Sequence, residues 1–394
     1  MTEISCSCSV FQPVLNAFSG ALGVLWHPAR PSVRRSRIFA LAYLIVGTAP
    51  ATTVVPHDWS DMPLWAYGVT ALPQASDTAK PPDPPWRRFD PAIDHDEQLR
   101  PLHVDGSRRA YSVVDLSDWQ NVVDWFPNEH APMPDVVQHG PASLGTLTRA
   151  CAFCHKTTGG GRPDNAPVAG LPVAYFLRQL EDFRAGMRRS SDPRKSNVPT
   201  MIALAQAMSD DEKTAAAEYY AVQGGGPHVR VIETDRVPPA HLDGNRYVAS
   251  GSERTEPLVE RILEVAQDPE QSEKLDNPHF GYIAYVPSGS IARGQRLAMT
   301  GSRKDGVASA LGATTTLACN TCHGADLRGL GEAPPIAGRS PSYLVRQLYD
   351  FKTGARNGMR AVLMMPVVAH LTPAQMSDIA AYVAALPCAK ADGH

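Results

Sequence analysis

Apolar side chains recur at helical spacing in two distant stretches of the chain. In the later one Leu344, Leu348 and Phe351 share a face, Ser340-Pro341 reads as cap and first helical residue, and Gly354 is placed to end the helix. The earlier stretch shows the same pattern from Pro172 onward. A second helix follows each, because Ser209-x-x-Glu212 and Thr372-x-x-Gln375 are capping boxes that open Ala-rich runs to Tyr220 and Leu386. Ser290 to Thr300, with Gly294 inside it, reads as a further helix, followed by a flexible loop rich in Gly, Ala and Thr. Between the helical blocks, Val229 to Thr234, Arg246 to Ala249 and Tyr282 to Val286 read as short strands and Leu258 to Val265 as a short helix. The expectation is a mainly α fold: helical domains at residues 140–223 and 289–388, and between them a central insert, 224–288, with short β-strands.

The first fifty residues follow another pattern. Arg34, Arg35 and Arg37 precede the apolar run Ile38 to Val46, and Ala49-Pro50-Ala51 follows, which is the order of a secretory signal. The run is shorter than the ~20 residues a membrane span needs, and it lacks the amphipathic stripe of a buried helix. Residues 1–29 fit no signal region, which points to a true start near Val33, and Arg34-Arg35 is a weak twin-arginine match. Residues 1–51 are therefore expected to be an export signal, leaving a periplasmic chain that does not span the membrane. Losing four Arg and one Glu would take the formal charge from -3 to -6.

Residues 52–139 show little periodicity. They hold Trp59, Trp65, Trp86, Trp119 and Trp125 together with many of the 35 prolines, a content well above the usual ~5%. Such a segment is expected to fold as an irregular wrap, since its aromatics need burial; a stabilising cover is favoured over a docking surface. With 37 Lys plus Arg against 40 Asp plus Glu, the chain has no basic field for nucleic acid.

The cysteines carry the chemistry. Cys6 and Cys8 fall in the signal, and Cys388 has no partner left. The other four form Cys151-Ala-Phe-Cys154-His155 and Cys319-Asn-Thr-Cys322-His323, each a C-x-x-C-H signature of covalent haem c attachment. Two thiols three positions apart on one helical turn can each add to a haem vinyl group, and the next histidine is carried under the ring to ligate iron. A zinc ribbon would bring its second pair within about 15–20 residues, whereas these pairs lie 168 apart. A thiol redox pair does not require the following histidine.

The similarity extends beyond the motifs. At a constant offset of 168, Cys151 to Arg188 overlays Cys319 to Arg356 without a gap. Identities include Pro167/Pro335, Gly170/Gly338, Tyr175/Tyr343, Arg178/Arg346, Gln179/Gln347 and Asp182/Asp350. This is a duplicated domain. The C-terminal helices align at an offset of 163, under which Met201 falls on Met364. A thioether suits a sixth position on ferrous iron, so Met201 and Met364 are the candidate distal ligands. Met365 competes in the second copy because Met-Pro is a common ligand context, but it breaks the register. Met208 and Met376 read as core. Pro167 and Pro335 lie twelve residues after their histidines, where a carbonyl can accept the imidazole N–H and fix the ring. Arg178 and Arg346 are candidate partners of the haem propionates. His130 and His139 are alternative ligands without a counterpart in the second copy.

The tandem C-x-x-C-H motifs, with Pro-x-x-Ala-Gly, Tyr, Arg-Gln-Leu, Asp-Phe and Gly in the second copy, resemble class I cytochromes c and in particular the dihaem c-four class. The resemblance covers residues 140–223 and 289–388. It implies two covalently attached haem c groups, ligated by His155/Met201 and His323/Met364, in a periplasmic electron carrier. The expected partners are a dehydrogenase as donor and a cytochrome or oxidase as acceptor. That class joins its domains by a short connection, whereas here nearly a hundred residues separate Tyr220 from Cys319. Two other functions compete: a dihaem peroxidase, which needs two unlike haem sites and is disfavoured by the duplicated methionine, and a cytochrome subunit bound permanently to a dehydrogenase.

Overall fold

The computed structural model describes residues 60–74, 76–77, 94–224, 229–301 and 316–387. The export signal, Trp59 and Trp86, the Gly/Ala/Thr-rich loop after Gly301 and Cys388 lie outside those residues. The described chain is mainly helical with short strands. Helices α1 (Leu64–Tyr67), α2 (His95–Leu99), α3 (Val113–Leu116) and α4 (Asp135–His139) precede the first motif. The first repeat contributes α5 (Cys151–His155), α6 (Val173–Arg184), α7 (Asn197–Ala207) and α8 (Asp210–Ala221). After the insert come α9 (Ser290–Thr300), α10 (Asn320–His323), α11 (Pro341–Lys352), α12 (Met365–Val368) and α13 (Pro373–Ala385).

Local chemistry sets these helix starts. Ser209 Oγ accepts the Glu212 N–H at 3.2 Å while Glu212 Oε2 accepts the Ser209 N–H at 2.8 Å, and Thr372 and Gln375 make the same reciprocal pair at 3.2 and 2.9 Å. Ser340 Oγ accepts from the Tyr343 N–H at 3.2 Å, with Pro341 at the first helical position. Beyond α6 and α11, Gly186 and Gly354 take φ of 67° and 73°, a region that glycine enters without steric penalty.

The duplication is visible in the backbone itself. At the offset of 168, Lys156/Gly324, Gly159/Leu327, Gly161/Gly329 and Gly170/Gly338 are all at positive φ, whichever residue occupies the position. The hydrogen bonds repeat as well: the Gly161 N–H donates to His155 O at 3.0 Å and the Gly329 N–H to His323 O at 2.8 Å. The repeats touch directly despite the long connection. The Arg189 N–H donates to Ala355 O and the Asn357 N–H to Met187 O, both at 2.8 Å, a pseudo-twofold pair around the bridge between Arg188 and Arg356.

The insert is small and β-rich. Strand β1 (Arg230–Glu233) runs parallel to β7 (Tyr282–Val286), which pairs antiparallel with β6 (Leu263–Ala266). Strands β2 (Arg236–Val237) and β5 (Glu256–Pro257) pair, as do β3 (Ala240–Asp243) and β4 (Arg246–Ala249) across the two-residue turn Gly244-Asn245. The expected helix at Leu258 to Val265 is not formed. Val259 sits at φ 58° on the surface, and Leu263 to Val265 belong to β6, with Leu263 opposite Tyr285. Leu258, Ile262 and Leu263 are all fully buried, and so short an apolar run carries no period that separates strand from helix.

Each repeat has its own core. That of the first comprises Leu180, Phe183, Ala205, Met208 and Tyr220 and reaches back to Val122, Val136 and Val137. That of the second, around Leu297, Val345, Tyr349 and Met376, takes in Met62, Ala66 and Tyr67 from the N-terminal segment and Ile262, Ala284 and Val286 from the insert. Tyr67 is fully buried, and its hydroxyl donates to Asp350 Oδ1 at 2.7 Å. Trp125 is anchored on the insert, its Nε1–H donating to Leu275 O at 2.6 Å.

In the second repeat α9 crosses α13 at Gly294. A Cβ there would overlap the Asp378 carbonyl oxygen and lie 2.9 Å from Tyr382 Cβ. Both contacts are with the facing helix, which Arg293 also grips through two 2.9 Å bonds to the Asp378 carboxylate. Gly294→Ala is expected to cost about 3 kcal/mol through overpacking, read as a lowered thermal midpoint. Gly224→Ala meets nothing within 4 Å and should stay within about 0.5 kcal/mol.

Candidate haem sites

Each attachment motif folds as one short helical turn that ends in its histidine. His155 donates Nδ1–H to Ala166 O at 2.7 Å, and His323 donates Nδ1–H to Pro334 O at 2.8 Å. A carbonyl can only accept, so the proton sits on Nδ1 and the Nε2 lone pair is free for a metal. Burial lowers the pKa of both rings, which keeps them neutral as ligands must be. The acceptor is the residue before each haem-loop proline, eleven positions after the histidine; Pro167 and Pro335 hold the loops that present it.

Cys151, Cys154 and Cys319 are shielded from solvent, whereas Cys322 is exposed. Burial, with the neighbouring Cys154 adding to it, pushes Cys151 up to about 12, and burial pushes Cys319 up to about 11. This is the opposite of the lowered thiol of an exchange-active pair.

Both motifs open on one continuous cavity of about 1180 Å³. That exceeds the roughly 300–1,000 Å³ of a pocket for a single small molecule. Cys151, Cys154, His155 and Met201 line it from one repeat, and Cys319, Cys322, His323 and Met364 from the other. Met365 does not line it; its side chain is 37% exposed. Met208 packs in the first core and also reaches the cavity wall, while Met376 is wholly in the second core. His130 bonds Asp124 and Tyr219, His139 faces Gln120 O, and neither lines the cavity.

The charged lining tests which ligand fits. Among the described residues, Lys195 Nζ, Arg178 Nε and Trp119 Nε1 are buried without a hydrogen-bond partner, and all three residues line the cavity. Lys195 is only 4% exposed, and burial pushes its pKa down to about 7. The carboxylates of a haem would give these three donors acceptors, in a wall that also carries the Asp164 carboxylate. Lys195 has no counterpart in the other copy, so comparing the repeats does not find it; its signal is burial. The paired arginines diverge: Arg178 lies 3.4 Å from Glu332 Oε1 of the other repeat, whereas Arg346 donates to Ala66 O and Pro163 O, both at 2.7 Å. Both line the cavity.

Between the repeats the cavity wall is a symmetric network. Arg188 donates to Gln179 Oε1 at 2.9 Å, Gln347 Oε1 at 3.0 Å and the Tyr343 hydroxyl at 3.2 Å. Arg356 donates to Gln347 Oε1 at 2.9 Å, Gln179 Oε1 at 2.6 Å and the Tyr175 hydroxyl at 2.8 Å. Both guanidiniums are buried. The Arg188 pKa is lowered by burial and by Arg356 beside it. Tyr343 lies below the usual phenol value, since burial raises it but Arg188 and Arg356 lower it further.

A neutral imidazole, oriented from behind and flanked by two thiols on its own helical turn, is the arrangement by which c-type cytochromes hold haem covalently. The comparisons with known proteins agree. The cytochrome c family profile matches residues 291–387. Cytochrome c-554(548) of Halomonas halodenitrificans is 38% identical over 65 residues, 16% of this chain and 78% of that one. The thiosulfate dehydrogenase electron acceptor of Thiomonas intermedia is 26% identical over 242 residues, 60% of this chain and 79% of that one. Cytochrome c4 of Pseudomonas aeruginosa is 34% identical over 91 residues, 22% of this chain and 43% of that one. The chain belongs to the cytochrome c family, as a cytochrome c4-like member of class I that binds haem c covalently.

Removing one arginine of the interface network would take one donor from each glutamine carbonyl and the arginine donor from one tyrosine hydroxyl, and would leave an apolar side chain in a polar, largely buried site. Arg356→Leu is expected to cost about 3 kcal/mol in urea unfolding, and Arg188→Leu about the same. Because each single variant leaves Gln179 and Gln347 bonded to the remaining arginine and relieves the like-charge repulsion, the double variant, which strands both glutamine carbonyls, should cost clearly more than the two single losses together.

Proposed function

We propose that the chain is a dihaem electron carrier. One haem c would be held by Cys151 and Cys154, with His155 and Met201 as its iron ligands, and a second by Cys319 and Cys322, with His323 and Met364. The observation that supports this reading is the single cavity lined by both C-x-x-C-H motifs and by Met201 and Met364, which align at the sequence offset of 163. When bound, haem would supply one-electron chemistry at iron, and ligation by a thioether together with histidine would favour the ferrous state. The residues of this chain hold the imidazoles neutral, keep the cavity apolar and offer Lys195 and Arg178 to the propionates. A methionine available as a ligand in both sites would close each iron to peroxide, which supports electron transfer over peroxide turnover.

The donor on this reading is a periplasmic dehydrogenase and the acceptor a further cytochrome or an oxidase. A thiosulfate dehydrogenase is the donor to try first, because one relative aligned over most of its own length is named as the electron acceptor of such an enzyme. Export to the periplasm follows from the signal pattern at residues 1–51 and from the need to attach haem there.

Mass measurement of the denatured protein should find two haem masses per chain, and Cys154→Ser with Cys151→Ser should remove one; a single haem in the unmodified protein would sink the proposal. The ferrous protein should bind carbon monoxide poorly. Met201→Ala or Met364→Ala should open one site to it, while Met365→Ala should leave both closed. Rapid reduction by a thiosulfate dehydrogenase supplied with thiosulfate is the functional check.

A further inference from the structure

The two loops that orient the histidines are tied together by one side chain. Arg339 follows Gly338 in the second repeat and lies 8% exposed. Its Nε–H donates to Pro335 O at 2.6 Å, its Nη1 to Pro167 O at 2.6 Å and its Nη2 to Ala169 O at 3.1 Å. Pro335 directly follows Pro334, the acceptor for His323, and Pro167 directly follows Ala166, the acceptor for His155. One planar guanidinium thus bonds the backbone next to both imidazole acceptors. No second clamp of this kind arises from the duplication, because the equivalent of Arg339 in the first repeat is Leu171.

We propose that Arg339 is a positioning residue shared by the two haem sites, which fixes both proximal loops and sets the two midpoint potentials together. Its fixed fork suits three carbonyls in a way that a lysine ammonium does not. A cation held in a poorly polarisable interior stabilises the reduced, less positive state of any iron near it, and here it adjoins both histidine loops. A change at Arg339 is therefore felt at two irons through a contact made once. The inference rests on the reading that His155 and His323 are iron ligands.

Redox titration of the haem-loaded protein tests it, with the two sites resolved by the NMR signals of their axial methionine methyls. In Arg339→Gln both midpoint potentials should fall, by about tenfold in each reduced-to-oxidised ratio, about 59 mV for a one-electron couple. Arg339→Lys, which keeps the charge on a similar stem and guards against a glutamine variant that folds poorly, should restore the larger part of the shift at both sites. A shift confined to the second repeat, or none in either variant, would overturn the proposal. Counting covalent haems and recording the methionine-to-iron absorption in the same samples separates the two readings. If the unmodified protein lacks two His/Met haems, the functional assignment fails and this inference with it; if it has them and the potentials do not move together, only the inference fails.

Discussion

Two guanidiniums buried side by side between the repeats are the constraint on which the architecture turns. Arg188 and Arg356 carry like charges into a poorly solvated interface, an arrangement that is costly unless every N–H finds an acceptor. The duplicated sequence provides the acceptors in matched pairs: each glutamine carbonyl serves both arginines, and each arginine reaches the tyrosine of the other repeat. These bonds require the repeats to meet about a pseudo-twofold axis. The meeting in turn merges two ligand-lined pockets into one cavity. The length of the connection between the repeats is then of little consequence, because the interface rather than the linker fixes their relation. The insert is free to occupy other surfaces, which it does by completing the second core and anchoring Trp125.

The part of this arrangement that was legible in the sequence is the part that occurs twice. A constant offset marks the thiols, the histidines, the starts of the helices that follow them and the interface tyrosines and glutamines, and positive backbone φ at paired positions is its structural counterpart. Features that occur once escape such a comparison. Lys195 and Arg339 have no counterpart, and their importance comes from burial and from partners distant in sequence. Arg178 and Arg346 show the converse, since identical residues at paired positions took different partners once the flanking segments differed. The misread stretch at Leu258 to Val265 failed for a third reason: its pattern reflects complete burial, which a strand and a helix satisfy equally well.

The same contrast appears one residue beyond each histidine, where the chain must turn through positive φ. The second repeat uses Gly324 there, at φ 86°, without steric penalty. The first repeat uses Lys156 at φ 63°, an uncommon conformation for a residue with a side chain. What offsets that strain is the insert: Lys156 Nζ lies 3.3 Å from Asp276 Oδ1 and reaches Ser272 O at 3.5 Å, while Arg162 reaches the same carboxylate at 3.0 Å. Burial lowers the lysine pKa, and the Asp276 charge works against that effect. The glycine position of one copy has thus become a tether in the other, bought with local strain and repaid by a buried ion pair. The two turns are alike in backbone, and the insert makes them unequal by giving the first a charged contact at Lys156 where the second has only Gly324.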